Sequence, residues 1–585
     1  MLRAAALLVA SVVSVSADEG PAFFEAKIRP LLLDKCVECH GPEKQKGGLR
    51  LDSRSGWLKG GDNGPAIVPG KPDESLLIKA VRYADEDLAM PPKKKGGKLS
   101  DAQISALEQW VKQGAPDPRA EVAATGPRLR SGKFVLSDAD RNFWAFQAAR
   151  RGDSSRTIDS FVVAQLAEKG IAMNPQATPR ELVRRAFFDL WGLPPTFEDV
   201  AAFEREPTDA AWVQLIERLL ASPHYGERWG RHWLDLVRYA ESNGYERDGA
   251  KPDAWRYRDY VIASFNADKP YDRFIREQIA GDELAETLPP GREWRDAIVA
   301  TGFYRLHVWD DEPDSTLVAE FDDLDDIMVT MGTAFLGLTV GCARCHDHKF
   351  DPISQADYYS MLSFFRSIDP YGQHKTGGGG RGTGKIQRAL TDGETALAVV
   401  ENGPVAKPTH VLSRGEVGSP REEVVPAFPV VFGLPVINSP QRASDAASTG
   451  RRRVLADWIA SAQNPLTARV IVNRIWQHHF GVGIVPTPDD FGHTGIAPTN
   501  QPLLDHLATE FAAGGWSIKK MHRLILTSRA YRMSSQTGNA KARELDEGNT
   551  LLWRQNLRRL EAEVIRDTML AASGTLNSKQ GGAAA

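Results

Sequence analysis

The sequence predicts a mainly α-helical protein with minor β-structure. Apolar residues recur at helical spacing through most of the chain, and signals for helix starts precede several of these stretches. Thr178 and Glu181, for example, have the spacing of a capping box just before one such stretch. Residues 409–412 and 424–432 favour strands instead. Because 585 residues are too many for one hydrophobic core, we expect three or four domains.

The overall composition is that of an ordinary globular protein, with 42% hydrophobic and 25% charged residues. A formal net charge of -4 gives no reason to expect nucleic acid binding. Residues 1–17 are typical of an export signal, with a positive charge at Arg3 and an apolar run at 4–15. That run is too short to span a bilayer. We therefore expect a periplasmic or otherwise extracytoplasmic protein with no transmembrane segment beyond this signal, an uncleaved tether being the alternative.

A haem-attachment motif dominates the first predicted domain, residues 18–118. Cys36, Cys39 and His40 form the Cys-x-x-Cys-His signature of c-type haem, in which two thiols bond the haem and the histidine binds its iron. Met90 follows later, and a thioether is a soft ligand that raises the potential of a His/Met haem. The alternatives are a zinc site, which needs further ligands, and a surface methionine in a lysine-rich loop.

Local signals predict the helices of a small class I cytochrome c in this domain. Pro30 is expected to kink or shorten the helix that leads into the first motif. Asp73 is predicted to cap the next helix, and Ser100 with Gln103 has the spacing of a capping box for the last one. That last helix is expected to end at Gly114.

A second Cys-x-x-Cys-His motif occurs in the middle of the chain, and the two motifs together use all four cysteines. We expect a second haem bonded to Cys342 and Cys345, with His346 as the proximal iron ligand. Two alternatives stay open. The thiols pair as a redox-active disulfide, or zinc binds to His346, His348 and Asp351.

The ligand on the far side of a second haem cannot be read from the sequence. An open position permits small-molecule chemistry, whereas a filled one implies electron transfer alone. The candidates are His348, Met331, His307, His232 and His224, or no protein ligand.

The acidic run at 320–326 precedes an apolar stretch at 327–340. We expect this stretch to be helical and the acidic residues to stabilise its N-terminus through the helix dipole. The remaining domain plan is a linker at 119–156, a helical domain at 157–366 that carries the second motif, a glycine-rich linker with short strands at 367–450, a C-terminal domain at 451–576 and a tail at 577–585.

Three parts of the chain resemble planctomycete protein families. The first domain resembles the planctomycete cytochrome C family through CVECHG, GLRLDSRSGWLKGG, IVPGKPDESLLIKAV and LSDAQISALEQWVKQGA. The central and C-terminal domains resemble two planctomycete families of unknown function, through RRAFFDLWGLPPT and TVGCARCHDHKFDPISQADYY and through RVIVNRIWQHHFGVGIVPTPDDFG. The first resemblance implies haem at Cys36, Cys39 and His40 with Met90 as distal ligand. The third family's pattern normally continues further, so we expect this last domain to be truncated.

These observations predict an exported dihaem c-type cytochrome that exchanges electrons with a redox partner protein. It would serve as a carrier or as the electron-accepting component of an oxidoreductase, and an electron-transfer role is favoured over a self-contained enzyme. The alternatives are a hydrolytic or carbohydrate-processing enzyme with an appended cytochrome module, and a scaffold protein. The sequence does not indicate the substrate or the oligomeric state.

Overall fold

The computed structural model of the chain describes residues 23–37, 39–41, 44–85, 88–92, 94, 97–117, 134–153, 155–246, 248–310, 313–369, 387–390, 393–401, 403–435, 437 and 440–583. The predicted export signal at 1–17 lies outside these residues. The chain divides into two compact units, Met1–Gly126 and Pro127–Ala585. Within the described ranges, no helix is both long enough and apolar enough to cross a bilayer.

The structure is 51% helical and 5% strand, which confirms the prediction of a mainly α protein with minor β-structure. The helices of the first unit are α1 Arg29–Lys35, α2 Arg54–Lys59, α3 Leu76–Arg82 and α4 Asp101–Lys112. Those of the second are α5 Asp138–Arg141, α6 Ile158–Glu168, α7 Pro179–Leu190, α8 Phe197–Arg205, α9 Asp209–Ala221, α10 Pro223–Leu236, α11 Ala254–Asn266, α12 Tyr271–Ala285, α13 Arg292–Ala300, α14 Thr316–Met331, α15 Gln355–Leu362, α16 Arg451–Ile459, α17 Thr467–Phe480, α18 Gln501–Ala513, α19 Ile518–Leu526, α20 Arg529–Arg532, α21 Ala540–Leu545 and α22 Ala562–Ala572.

Short strands form three two-stranded antiparallel sheets in the second unit. Their bounds are β1 Ile368–Asp369, β2 Gln387–Ala389, β3 Thr395–Leu397, β4 Val400–Glu401, β5 Thr409–Leu412 and β6 Pro420–Val424. β1 pairs with β4, β2 with β3, and β5 with β6. The strand predicted at 409–412 is confirmed. The one predicted at 424–432 is wrong, because the chain leaves the ladder at Val424 and forms a 3-10 turn at Val430–Phe432.

Helix starts in the first unit follow the local signals in part. Ser100 and Gln103 form the predicted capping box at the start of α4. Pro30 lies in the first turn of α1, where its missing N–H is not needed, and a π-helical turn replaces regular helix before it. The cap predicted at Asp73 is wrong. Asp73 lies in a 3-10 turn, and Ser75 takes the N-cap position of α3.

A small aromatic core holds the first unit together. Trp110 of α4 packs against Phe24 and Trp57, with ring centroids 5.6 and 6.0 Å apart. Both indole N–H groups are satisfied, since that of Trp57 donates to Asp117 at 2.9 Å and that of Trp110 to the Pro116 carbonyl at 2.9 Å. Burying these rings with their polar edges paired stabilises the unit at little desolvation cost.

One hydrophobic core runs through the second unit, from Ala145 to Trp553. Helices α10 and α11 pack together, as do α12 with α13 and with α16, and α17 with α18. The capping box predicted at Thr178 and Glu181 is present at the start of α7. Segments far apart in sequence therefore depend on one another for burial of their apolar faces.

The helix predicted at 327–340 is displaced along the chain. The helix α14 starts at Thr316 and ends at Met331, so the acidic run lies inside it rather than ahead of it. Its carboxylates form ion pairs instead of acting on a helix N-terminus. Glu320 pairs with Arg366 at 2.5 Å, and Asp322 pairs with Arg344 at 2.6 Å. The physical reason is that ion pairs with arginines elsewhere in the fold stabilise these carboxylates more than the helix dipole does, because the dipole acts only within the first turn of a helix.

A fully buried guanidinium connects three segments of the second unit. Arg452 of α16 is 0% exposed and bonds Asp282 of α12 at 2.6 and 2.8 Å. It also bonds Glu401 of β4 at 2.8 Å, and Glu283 lies 3.5 Å away. Three carboxylates thus face one cation. Burial and the neighbouring carboxylates raise the pKa of Glu283 to about 7, although Arg452 opposes the rise.

This arrangement predicts a pH dependence of stability. Because the pKa of Glu283 is raised above its ordinary 4.5, the folded chain binds this proton more tightly than the unfolded chain. The contribution is present in full below about pH 4.5 and is lost as pH rises to about 7, a fall on the order of 3 kcal/mol. Glu283→Gln should remove this part of the pH dependence of the free energy of unfolding, which urea unfolding curves recorded across that pH range measure.

The matched control for this measurement is Glu544→Gln, at an exposed position of α21. It should keep the wild-type dependence of the free energy of unfolding on pH. Equal slopes for Glu283→Gln and wild type would show that the buried carboxyl does not titrate in this range.

Candidate haem-attachment sites

The first motif forms a single turn of backbone at the end of α1. The Cys36 carbonyl accepts hydrogen bonds from the Cys39 N–H at 3.2 Å and from the His40 N–H at 2.9 Å. These two bonds close the chain into a compact turn, which keeps Cys36, Cys39 and His40 near one another, as bonding to one porphyrin requires.

Burial differs within this first motif. Cys36 is 9% exposed and belongs to the core of the first unit, whereas Cys39 and His40 are half-buried. Burial, with a smaller effect of Asp34, raises the pKa of the Cys36 thiol to about 11. Burial also lowers the pKa of His40. His40 Nδ1 is buried and has no hydrogen-bond partner among the described residues. A neutral imidazole beside two thiols fits a c-type haem.

The segment that carries Met90 is fixed to α3. The Met90 N–H donates to the Ala80 carbonyl at 3.1 Å, and the Tyr83 hydroxyl donates to the Pro91 carbonyl. The Met90 side chain is 37% exposed. The methionine is therefore held at the surface of the same unit as the first motif, and its role as a ligand stays a prediction.

The second motif is a surface turn with a buried base. It begins in the 3-10 turn Val340–Arg344, where Ala343 is 0% exposed. Cys342, Cys345 and His346 are all exposed. The turn thus presents both thiols and the imidazole outward while its backbone is packed against the second unit.

Arg344, between the two cysteines, anchors this turn. Its guanidinium pairs with Asp322 at 2.6 Å and Asp325 at 3.3 Å, both on α14. Its carbonyl accepts hydrogen bonds from the side chains of Gln355 and Tyr359 on α15, each at 2.9 Å. Sequence reasoning missed these four partners. One signal was available in the sequence: Asp322 and Asp325 are three residues apart, so on a helix they share a face and can pair with one arginine.

The imidazole of His346 is oriented by its neighbour. His346 Nδ1 lies 2.7 Å from the Asp347 carbonyl oxygen, so this nitrogen carries the proton and Nε2 keeps its lone pair. The Asp347 side chain is itself held, because it accepts the Gln355 N–H at 2.8 Å. A hydrogen bond to Nδ1 that leaves Nε2 free is the usual arrangement of a metal-binding histidine. The donor set of the second motif therefore also fits haem.

A loop passes beside one thiol of the second motif, which stays exposed. Gly415 has φ +76°, and a Cβ atom at this position would lie 2.9 Å from Cys345 Sγ. A side chain here is excluded both by the backbone conformation and by the sulfur atom. Gly415 was not identified from the sequence, since only the fold brings it beside Cys345.

The two alternatives for the second motif gain no support. His348 is 2% exposed, and its Nδ1 accepts the Asp351 N–H at 2.7 Å, while His346 is exposed. Asp351 accepts the His493 N–H at 2.7 Å. Throughout the described ranges, no three Cys, His, Asp or Glu side chains are grouped to hold a metal ion. All four thiols are free, so neither cysteine pair forms a disulfide.

The candidates for a distal ligand to the second motif have other contacts. Met331 is 0% exposed in the core, and His307 lies 3.0 Å from an Asp323 oxygen. His232 stacks on His478 with ring centroids 3.6 Å apart. His224 lies 3.3 Å from the side-chain amide of Gln580. Of the five candidates, His348 alone belongs to the loop of the second motif.

Thiol accessibility gives a direct test of these two geometries. In the chain prepared without haem, Cys342 and Cys345 should react with iodoacetamide at least about tenfold faster than Cys36, because thiolate fraction and access control the rate. Mass mapping of the labelled peptides measures this. In denaturant the four cysteines should react alike. Equal rates in native buffer would contradict the burial of Cys36.

Three protein-family models match the chain, and they occur in the order expected. Planctomycete cytochrome C matches residues 36–94, a span that includes the first motif and Met90. A family of unknown function (DUF1549) matches 157–370, which includes the second motif, and another (DUF1553) matches 451–585. No curated protein and no solved structure matches the chain.

The first of these matches implies haem c at the N-terminal motif. The chain thus carries a planctomycete cytochrome C module, followed in the same polypeptide by two domains of unknown function.

Proposed function

We propose that this protein is an exported dihaem c-type cytochrome that exchanges electrons with a redox partner protein. The observation that carries the proposal is that the second motif has all the parts of an attachment site in an anchored turn. Its two thiols are exposed and free, and the Nε2 atom of His346 is available to iron. A motif kept by chance in a domain of other function would not need this arrangement.

Bound haem would supply a reversible one-electron change at its iron. The chain supplies the positions of the ligands. At the first motif, Cys36 and Cys39 would hold the group, and His40 and Met90 would bind its iron. At the second motif, Cys342 and Cys345 would hold the group and His346 would bind its iron.

The two sites differ in exposure, and this supports different roles. Cys36 is in a hydrophobic core, which lowers the local dielectric and shields an attached group from water. The ligands of the second motif lie at the surface, where an attached group is accessible to a partner. The second site is therefore proposed as the point of exchange with a redox partner or a small molecule.

The candidates for a second axial ligand at His346 support an open position. Met331, His307 and His232 are each less than 9% exposed, and moving any of them to the surface would leave a cavity or an unpaired polar group. We therefore propose that these three do not bind the iron beside His346, which leaves a coordination position for water or a small ligand.

Haem stoichiometry tests the proposal. The full chain matured in a host with haem-attachment machinery should carry two haems by pyridine haemochrome and intact mass. Cys36→Ala with Cys39→Ala should remove one, and Cys342→Ala with Cys345→Ala should remove the other. A single haem at the first motif would disprove the dihaem proposal, and the bare polypeptide mass would disprove the cytochrome function altogether.

A redox titration tests the role of Met90. Met90→Ala should lower one reduction potential by a sizeable part of the roughly 0.8 V range that axial ligands span, because a neutral thioether favours reduced iron. Met569→Ala is the matched control, since Met569 is 65% exposed on α22 of the second unit. It should leave both potentials unchanged. An unchanged potential in Met90→Ala would exclude this ligand.

A further inference from the structure

A large cavity in the second unit is lined by cationic side chains. Its volume is about 950 Å³, which is at the upper end of the range for small-molecule sites. Residues from both domains of unknown function contribute to its wall. We call it the arginine cavity, after Arg184, Arg185, Arg228, Arg554, Arg558 and Arg559.

One of these guanidinium groups, that of Arg558, is paired with the buried carboxylate of Asp189. Asp189 accepts a hydrogen bond from the Tyr531 hydroxyl at 2.8 Å and forms an ion pair with Arg558. The oxygen that accepts from Tyr531 also lies 3.4 Å from His479 Nδ1. Burial alone would raise the pKa of Asp189, but Arg558 and His479 lower it to about 2. Asp189 is thus a fixed, neutralised anion and a poor proton acceptor at neutral pH.

The two other carboxylates in the wall are also engaged. Glu561 forms a bidentate pair with Arg228 at 2.7 and 3.0 Å. Glu181 accepts the Thr178 N–H and hydroxyl at 2.8 and 2.9 Å, in the capping box of α7. Of the arginines in the wall, these contacts neutralise Arg228 and Arg558 and leave the other four without a matching anion.

Three of the four remaining guanidinium groups have contacts other than anions. Arg184 lies over the Phe188 ring at 4.6 Å, and Arg554 lies over the Trp553 ring at 5.2 Å. Arg185 donates to the Tyr531 carbonyl. Among the described residues, no carboxylate forms an ion pair with any of these three or with Arg559.

Because these guanidinium groups line one cavity, an anion that enters it is attracted by all of them. The Nε atoms of Arg228 and Arg554 are buried and lack hydrogen-bond partners, so donors remain unused in the wall. Guanidinium groups are suited to carboxylate, sulfate and phosphate, because their planar donors bind two oxygens at once. At the rim, Val482 is 51% and Leu557 is 77% exposed, which offers apolar contact to the body of a larger molecule.

We propose that the arginine cavity binds an organic oxyanion, a molecule that carries carboxylate, sulfate or phosphate on a less polar body. The charged group is placed among Arg184, Arg185, Arg554 and Arg559, and the body contacts the rim at Val482 and Leu557. The cavity is far larger than a single inorganic anion, which is why an organic carrier is inferred. The site is independent of either haem motif.

Calorimetric titration of the full chain at constant ionic strength tests this proposal, with inorganic sulfate, inorganic phosphate and citrate as probes. At least one probe should bind saturably. Combining Arg184→Gln with Arg559→Gln should weaken that binding by about tenfold or more, since each charge-assisted contact contributes a factor of that order. Arg150→Gln, an exposed arginine outside the cavity, should bind as wild type does.

A second pair of variants separates charge from apolar contact at the rim. Leu557→Glu should weaken binding of the same probe more than Leu557→Gln does, because both lose the apolar contact and only the former places an anion at the rim. Tighter binding of citrate than of the inorganic anions would support the organic carrier. The proposal is overturned if no probe binds saturably, or if both cavity variants bind like their controls.

Discussion

The second unit depends on one buried cation. Arg452 of α16 binds carboxylates on α12 and β4, and so connects the two domains of unknown function through the segment between them. Removing one partner of such a buried network typically costs about 3–5 kcal/mol, because the charges left behind stay unpaired in a low dielectric. That is a large part of the stability of a typical domain. The two sequence families also share one hydrophobic core, to which residues of both contribute.

Charge pairing also explains how a surface turn is kept in one conformation. The second motif has exposed functional groups and so gains little from apolar burial. It is held instead by Arg344, whose guanidinium and carbonyl reach α14 and α15. The first motif is held by apolar burial instead, since Cys36 is packed into the core of its unit. The same five-residue pattern is thus supported by electrostatics in one place and by packing in the other.

Local features of the fold were predictable from the sequence, and long-range ones were not. The capping boxes at Ser100 and Thr178 depend on residues three apart, so they could be predicted directly from the sequence. The same holds for the two cysteine motifs, whose residues lie within four positions of one another. The role of the acidic run was misread because its partners, Arg344 and Arg366, lie later in the chain. The sequence likewise gave no sign of the arginine cavity, whose cations come from segments more than 300 residues apart and meet only in the folded unit.

The burial of Cys36 has a consequence for biogenesis. A cysteine that is only 9% exposed in a folded core is poorly accessible to a ligation enzyme. For a porphyrin joined at Cys36, the joining must precede collapse of the N-terminal unit, so that this unit is assembled around its prosthetic group. The exposed thiols of the other motif carry no such constraint, and their maturation can follow folding. Under the dihaem proposal, the accessibility of the sulfur atoms would therefore set a different time for each attachment.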